Sequence, residues 1–428
     1  MARYVHKAIV NGGNKMERVV ITGMGVISPL GNNVETLWNR LVQGESGISH
    51  IDTFDTSNHK TKIAGIIRDF NAEERFGRKE ARRMDRFSQF AVAAAEQAVQ
   101  DSGLTLEDMD KERLGVYVGS GIGGIQVLLE QATLLRERGP ARVSPTLVPM
   151  MISNMAAALI SIKFGALGPT MSPVTACSIG NTAIGEAARL IRYGGADVMI
   201  AGGTEAAITE VSLASFGNAT ALSTRNDEPT RASRPFDAGR DGFVMGEGAG
   251  ILVLESLSHA LRRNARIHAE VIGYGATSDA YHMVATHPEG EGAYRAMRLA
   301  LLEANIQPEE VDVISAHATS TEIGDQSETQ AIKKMFKEAS YRIPITANKS
   351  MIGHMLGASG GVEAIALVKS LGTGVIPPTI NLEHPDPKCD LDYVANTARQ
   401  AKLNIGMSNS FGFGGHNAVI VLKNYTNE

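Results

Sequence analysis

An approximate internal repeat constrains the fold of this chain more than any other feature of its sequence. In the first part, a helical pattern over residues 91–102 leads to the apolar segment Val116-Tyr117-Val118 and then to Gly119-Ser120-Gly121. In the second part, a helical pattern over residues 293–305 leads to Val311–Ser315 and then to His317-Ala318-Thr319. Helices that alternate with short apolar strands are typical of α/β proteins, so the sequence predicts an α/β fold.

The repeat extends further along both parts. Thr175-Ala176-Cys177 precedes a helix rich in small residues over 180–191, and we interpret Thr346-Ala347-Asn348, before a similar helix over 357–368, as its counterpart. Generic helix–strand units would give the same impression, and that alternative stays open at this point. We predict two similar halves, residues 16–265 and 266–428, with the functional groups at their junction. Residues 1–15 we expect to be an extension or tag without ordered structure.

Composition narrows the function classes. The 428 residues carry a net charge of −5, which argues against nucleic acid as the default ligand. The only two cysteines, Cys177 and Cys389, do not suggest a disulfide framework, so we expect a reducing, cytoplasmic compartment. No apolar run approaches the roughly 18 residues of a membrane span, and no His and Cys spacing indicates a metal site.

Cys177 is the first candidate for chemistry. It lies where a strand ends and a helix rich in alanine and glycine begins. A thiol at a helix N-terminus faces the positive end of the helix dipole, which favours the reactive thiolate. A small buried core cysteine is the alternative interpretation of this segment.

Two histidines are further candidates. His317 follows an apolar strand directly, and strand-end loops often carry reactive groups in α/β folds. His354 lies in a glycine-rich segment that also contains Lys349, with Glu363 on the following helix as a possible partner for the lysine. A hydrogen-bonded turn histidine and a surface lysine are the simpler alternatives.

A glycine-rich segment near the C-terminus, residues 408–417, completes the set. Its glycines would allow backbone N–H groups to face a bound oxyanion, and Phe411 and Phe413 could line or gate a tunnel for an apolar chain. A glycine-rich turn between strands is equally compatible with this segment alone. We interpret the other glycine-rich run, residues 241–250, as structural, because it precedes a strand rather than joining a strand to a helix.

Together these segments resemble the beta-ketoacyl synthases of the thiolase superfamily, in particular the second-type elongating enzymes that use acyl-carrier protein. The resemblance runs from about Arg18 to the C-terminus, and its motifs occur in the expected order. The segments that carry it are residues 20–23, 118–124, 175–177, 221–227, 234–250, 278–282, 316–325, 349–361 and 408–417.

The resemblance implies a five-layered αβαβα fold and a homodimer without cofactor or metal, whose substrates carry phosphopantetheine on acyl-carrier protein. It implies that Cys177 is acylated and that malonyl-carrier protein then loses carbon dioxide to give an enolate that attacks the thioester. His317 and His354 match the histidines that stabilise this enolate, and Lys349 with Glu363 match their support. Backbone N–H groups of Cys177 and Phe413 would form the oxyanion hole. Substrate contacts are expected from Thr319, Thr321, Phe411, Phe413, Ile122 and Ile179.

The carrier protein is acidic in this family, so a basic docking surface is expected. The candidates are Arg78, Lys79, Arg82, Arg83, Arg142 and Arg225, with Arg86 in the same run. Where the family more often has glycine this chain has Ala318, whose methyl group would crowd the phosphopantetheine arm. Ile179 stands where a small residue is expected and would narrow the acyl pocket.

Four related kinds of protein compete with this interpretation. A degradative thiolase would need a second cysteine in the C-terminal glycine loop, and an initiating synthase would have asparagine in place of His354. A non-catalytic chain-length subunit would lack the nucleophile. A ketosynthase subunit of a dissociated polyketide synthase remains the alternative that sequence separates least well from fatty-acid elongation.

Overall fold

A computed structural model describes residues 16–426; the predicted N-terminal extension therefore lies outside the described residues. Ten of the strands form one sheet in the order β10-β9-β13-β14-β8-β1-β7-β6-β4-β5. The strands are β1 Val19–Ile27, β2 Ser49–His50, β3 Ile63–Ala64, β4 Leu114–Gly119, β5 Thr170–Met171, β6 Val198–Glu205, β7 Gly248–Ser256, β8 Ala269–Ser278, β9 Val313–Ser315, β10 Ile345–Thr346, β11 Val375–Ile376, β12 Arg399–Gln400, β13 Ile405–Gly412 and β14 His416–Asn424.

The sheet consists of two groups of five strands with the same internal arrangement. In the first half β5, β4 and β6 are parallel, and β7 and β1 continue antiparallel. In the second half β10, β9 and β13 are parallel, and β14 and β8 continue antiparallel. The groups join only where Val20 and Ile21 of β1 pair with Glu270 and Ala269 of β8. The sheet order thus supports the duplication, while the boundary at 265/266 stays our proposal.

Helices complete five layers. The pair α8 and α14 lies between the two strand groups, since α8 packs on β6 and β14 and α14 packs on β7 and β13. On the outer faces, α4 covers β1 and β7, and α11 covers β8 and β14. The helices are α1 Val34–Val42, α2 Ala72–Phe76, α3 Arg78–Ala81, α4 Arg86–Ser102, α5 Ile125–Arg138, α6 Leu147–Met151, α7 Met155–Phe164, α8 Ile179–Arg192, α9 Glu210–Asn218, α10 Leu257–Arg262, α11 Glu291–Ala304, α12 Glu322–Phe336, α13 Lys349–Ile352 and α14 Ser359–Thr373.

Glycine allows the two central helices to approach closely. A methyl group added at Gly180 in α8 would lie 2.3 Å from the backbone nitrogen of Gly361 in α14. Because the side chains between the helices are this small, the backbones carrying the functional residues of both halves come together. No helix within residues 16–426 has the length and apolar character needed to span a bilayer.

The structure corrects one part of the predicted repeat. A single 3₁₀ turn, Ala176–Ser178, leads into α8, and the matching turn before α14 is Leu356–Ala358 rather than Thr346-Ala347-Asn348. Both turns begin close to a residue with left-handed backbone, Ala176 with φ 50° and Leu356 with φ 47°. The second half inserts α13 and its flanking loop before this turn, and local sequence similarity did not reveal the insertion.

Candidate active site

Cys177 lies in the turn between β5 and α8 and is buried, with 8% of its surface exposed. Gly412, at the end of β13, packs directly on this turn: a methyl group there would lie 2.9 Å from both the Cys177 nitrogen and the Thr175 carbonyl oxygen. The backbone N–H groups of Phe413 and Cys177 lie beside the thiol, and both lower its pKa. The two groups expected to form an oxyanion hole therefore meet at the candidate nucleophile.

The acidity of this thiol differs from the prediction. Burial raises the pKa of Cys177 to about 12, and the nearby Glu205 carboxylate raises it further, while Lys349 and the two backbone N–H groups lower it. Cys177 also precedes α8 and does not lie within its first turn. Loss of water around the sulfur thus outweighs the helix end, so the free chain holds a protonated thiol rather than the expected thiolate.

His317 projects from the loop after β9. The Glu328 carboxylate in α12 accepts hydrogen bonds from the His317 and Ala318 backbone nitrogens at 2.9 and 2.8 Å, and from the Asn409 side chain at 3.0 Å. Burial, with Lys349 and His354 nearby, holds the pKa of His317 well below its usual range.

His354 faces His317, with the two ring centroids 5.4 Å apart and the ring planes perpendicular. Its Nδ1 lies 3.1 Å from the Ser359 hydroxyl, and the edge of Phe243 packs against the ring at 5.4 Å. Burial and the Lys349 charge lower the pKa of His354 well below 6.5. Both imidazoles are therefore neutral at pH 7 and each can donate one N–H.

Lys349 and Glu363 form a buried ion pair beside the histidines. Burial raises the pKa of Glu363 to about 7 against the opposing effect of Lys349. The lysine charge also disfavours protonation of both histidines. The electrostatic effect of the pair thus favours the neutral form of both imidazoles. Neither Lys349 nor Glu363 is accessible from solvent.

Thr319 and Thr321 lie together on the loop before α12, with their hydroxyl oxygens 3.1 Å apart. The chain adopts left-handed backbone at Ala318 (φ 32°), between His317 and Thr319, and at Ser320 (φ 69°), between the two threonines. The Ala318 methyl group belongs to the second-half core and is 1% exposed. The departure from glycine places an L-residue in a strained conformation, and its effect on a substrate arm stays a prediction.

Comparison with known proteins decides the family. Residues 16–260 match the beta-ketoacyl synthase N-terminal domain, and residues 268–383 match the corresponding C-terminal domain. The chain belongs to the beta-ketoacyl synthase family.

Close relatives support this assignment over nearly the whole chain. The chain is 51% identical over 409 residues to 3-oxoacyl-[acyl-carrier-protein] synthase 2 of Synechocystis sp., covering 96% of this chain and 98% of the relative. It is 50% identical to the enzyme of the same name from Staphylococcus aureus, covering 96% and 99%. The fold class predicted from sequence is confirmed by solved structures of this family.

Among those structures, the ishigamide ketosynthase/chain length factor superposes with a TM-score of 0.89 at 39% identity, covering 96% of this chain and 100% of that one. A ketosynthase in complex with its type II polyketide acyl-carrier protein and bound to a hexaketide superposes with a TM-score of 0.88 at 36% identity, with the same coverage.

The structure places the predicted substrate-lining residues of this synthase in different surroundings. Cys177 and Ile122 belong to one apolar cluster, and Phe411 packs against His317 with 5.6 Å between ring centroids. Phe413 is 38% exposed. The Ile179 side chain is completely buried outside this cluster and packs against Gly119, Gly203 and their neighbours at the first turn of α8. Its place in the acyl pocket stays a prediction.

The predicted docking residues also divide. Arg78, Lys79, Arg82 and Arg83 are exposed on and just after α3, and Arg142 is exposed after α5. Arg225 is half-buried and bonded to Glu228 and to the Gly239 carbonyl oxygen. Arg86 is bonded to Glu247 and the Ile67 carbonyl oxygen, so it serves the interior instead of the basic surface.

Sequence reasoning missed several residues around the site. The ring centroid of Phe216 lies 6.2 Å from that of Phe413 and 5.5 Å from that of Phe243. These rings form a continuous row from the exposed Phe413 to His354, against which Phe243 packs. Glu205 and Ser359 bind groups beside the candidate catalytic residues. The one feature of the sequence that could have pointed to Glu205 was its position as an acidic residue at the end of the otherwise uncharged strand β6.

Proposed function

We propose that this chain elongates acyl chains by two carbons through decarboxylative condensation, with Cys177 as the nucleophile. The observation that carries the proposal is one buried thiol contacted by two backbone N–H groups and accompanied by two neutral histidines from the other half. A condensing acyltransferase needs these groups and no others. The site residues below are our assignments.

The first step is thioester exchange. The Cys177 sulfur attacks the carbonyl carbon of an acyl thioester on acyl-carrier protein, and the carrier thiol leaves with the proton that Cys177 gives up. The tetrahedral oxyanion accepts hydrogen bonds from the Cys177 and Phe413 backbone N–H groups. Because the resting thiol is protonated, its proton must leave as the attack occurs.

The second step forms the carbon–carbon bond. The malonyl thioester loses carbon dioxide, and the electron pair of the broken bond forms an enolate whose oxygen accepts N–H donors from His317 and His354. The enolate carbon attacks the carbonyl carbon of the Cys177 thioester, and the cysteine sulfur leaves as a thiolate that takes up a proton from solvent to restore the resting thiol. A positively charged imidazole is unnecessary here, which agrees with the lowered pKa values of both histidines.

Acyl-carrier protein is the proposed partner. Thr319 and Thr321 would contact the phosphopantetheine arm, and the basic surface formed by Arg78, Lys79, Arg82 and Arg83 would bind an acidic carrier. Neutralising Arg82 and Arg83 together should raise KM for the carrier at low salt by about tenfold, with less effect at high salt. The matched control is Arg86→Gln, which removes an interior arginine from the same run. Unchanged KM in the double variant would eliminate this surface.

A homodimer is part of the proposal. β5 is an edge strand whose Thr170 and Met171 are exposed, and Val174, which follows it along the chain, and Val148 of α6 are also exposed. An uncovered edge strand beside apolar side chains is suited to pairing with a second copy. Val148→Asp should yield a monomer by light scattering, whereas an unchanged oligomeric state would place the interface elsewhere. We further propose a cytoplasmic location, supported by the two buried free cysteines.

The direct test combines purified protein with malonyl-carrier protein and acyl primers of graded length, with products identified by mass spectrometry. A single two-carbon extension of saturated primers supports fatty-acid elongation. The second candidate, a polyketide ketosynthase, is favoured by the structural likeness to ketosynthases of that class. It would extend its own unreduced product repeatedly. No condensation with any primer would refute both.

A further inference from the structure

Glu205 is a buried acid without an established task. It ends β6, its side chain is completely buried, and no lysine, arginine or histidine of residues 16–426 forms an ion pair with it. Four donors surround its carboxylate instead. Oε1 accepts the Ser120 hydroxyl at 2.7 Å and the Ile122 nitrogen at 3.2 Å; Oε2 accepts the Gly121 nitrogen at 2.9 Å and the Gly357 nitrogen at 3.2 Å.

These donors belong to opposite sides of the site. Ser120, Gly121 and Ile122 form the loop after β4, and Ile122 shares the apolar cluster that contains Cys177. Gly357 comes from the second half and lies between His354 and Ser359, the residue that contacts the His354 ring. One carboxylate therefore joins the wall beside the acylated cysteine to the turn that follows His354.

The surroundings permit little adjustment. A methyl group at Gly357 would lie 2.9 Å from Glu205 Oε2, and one at Gly121 would lie 3.1 Å from the same oxygen. The Ser120 hydroxyl is also fixed, because it accepts a hydrogen bond from the Gly123 nitrogen at 2.9 Å. A displacement of either loop must therefore move the carboxylate, and through it the other loop.

The arrangement has a counterpart in the second half. There Glu328 accepts two successive backbone N–H groups, those of His317 and Ala318, in the equivalent loop after β9. Glu205 accepts those of Gly121 and Ile122 after β4. Only Glu205 also holds a backbone group of the opposite half, so its role extends beyond stiffening its own loop.

We infer that Glu205 is a positioning residue that couples the acyl-binding wall at Ile122 to the placement of His354. This inference rests on the proposed function. In the isosteric variant Glu205→Gln, an amide NH₂ replaces one acceptor oxygen and faces N–H donors. Loss of a hydrogen bond to a charged group corresponds to a change of about tenfold or more in the rate or equilibrium constant that depends on the bond.

The experiment measures two half reactions of the full-length enzyme. Acylation of Cys177 is followed by mass spectrometry with primers of graded length, and decarboxylation of malonyl-carrier protein is followed by carbon dioxide release. In Glu205→Gln we expect decarboxylation kcat to fall about tenfold and the preferred primer length to shift. Ser120→Ala, which removes one of the four donors, should change both quantities in the same direction by a smaller factor.

Glu255→Gln is the matched control. Glu255 is also completely buried, on the neighbouring strand β7, and it is bonded to Thr22, His259 and Arg263. It should lower thermal stability and leave the primer-length profile unchanged.

The inference is overturned if Glu205→Gln keeps both half reactions and the wild-type length profile, or if its losses match those of Glu255→Gln. If Glu205→Gln does not fold, Ser120→Ala decides by the same criteria. Failure of the proposed function is distinguishable, because then the wild-type enzyme itself would perform neither half reaction.

Discussion

The turns that lead into α8 and α14 have nearly the same backbone but different tasks. The first follows β5 through residues 172–175 and presents a thiol; the second follows β10 through the longer segment 347–355 and presents a glycine, Gly357. The extra segment carries Lys349 and His354. One half therefore provides a reactive side chain at the turn, whereas the other provides a hydrogen-bond donor, His354, before the turn and leaves only backbone there. The two halves share a frame, and the longer segment in the second half separates the proposed roles.

Removing the thiol should break this division most completely. Cys177→Ala is expected to lower condensation more than about 1,000-fold, because no other nucleophile lies at the turn. Malonyl decarboxylation should persist, since both histidines remain. Product formation and carbon dioxide release, measured in the same assay, separate the two results. Substantial condensation by this variant would end the assignment of Cys177.

Removing a donor from the inserted segment should have the opposite pattern. His354→Ala is expected to lower decarboxylation about 100-fold, because a donor to the developing enolate is lost. Acylation of Cys177 should change little. The control is His50→Ala, which replaces an exposed histidine in β2. A larger loss in acylation than in decarboxylation would reverse the roles of the two turns.

The pH dependence should differ between the two turns. With a thiol pKa of about 12, each unit of pH between 6 and 9 should increase alkylation of Cys177 by iodoacetamide about tenfold, because the thiolate fraction rises without a plateau. Decarboxylation should be flat over this range, because both histidines are already neutral. Cys389→Ala removes the second thiol from the measurement. A plateau in alkylation near pH 7 would instead favour a thiolate stabilised by the helix end.

The smallest effects concern the shared backbone strain. Ala176→Gly should change the free energy of unfolding by about 0.5 kcal/mol or less, in the stabilising direction, because glycine adopts positive φ without steric cost. Leu356→Gly relieves the same strain but removes a buried side chain, so we expect destabilisation of about 2 kcal/mol or more. Urea denaturation of both variants gives the comparison. Equal effects would mean that the Leu356 side chain contributes no more packing energy than the Ala176 methyl group.

The fold was largely predictable from sequence. Apolar periodicity located the strands β4 and β9 and the helices α4, α8, α11 and α14, with differences of a few residues at their ends. The equivalence of the two turns was assigned incorrectly, because a local Thr-Ala dipeptide resembled the true motif more closely than Leu356–Ala358 does.

The candidate site was predictable where chemistry is concentrated in short motifs. Cys177, His317, His354 and Lys349 stood in such motifs, and the structure brings them together. Glu205 did not stand in such a motif, because its contact with Gly357 joins positions 152 residues apart and leaves no local pattern. The depth of burial of Cys177 was also inaccessible, because it depends on packing by β13 from the other half. The complete burial of Ile179 could not be predicted either, because its motif neighbours do not reveal which way the first turn of α8 faces.

The connection between the halves passes through an exposed bend at Asn264, which has left-handed backbone with φ 53°. A chain cut at this bend would put the sulfur on one polypeptide and both imidazoles on another. Under the proposed assignments, neither fragment alone would hold all the groups that a turnover needs.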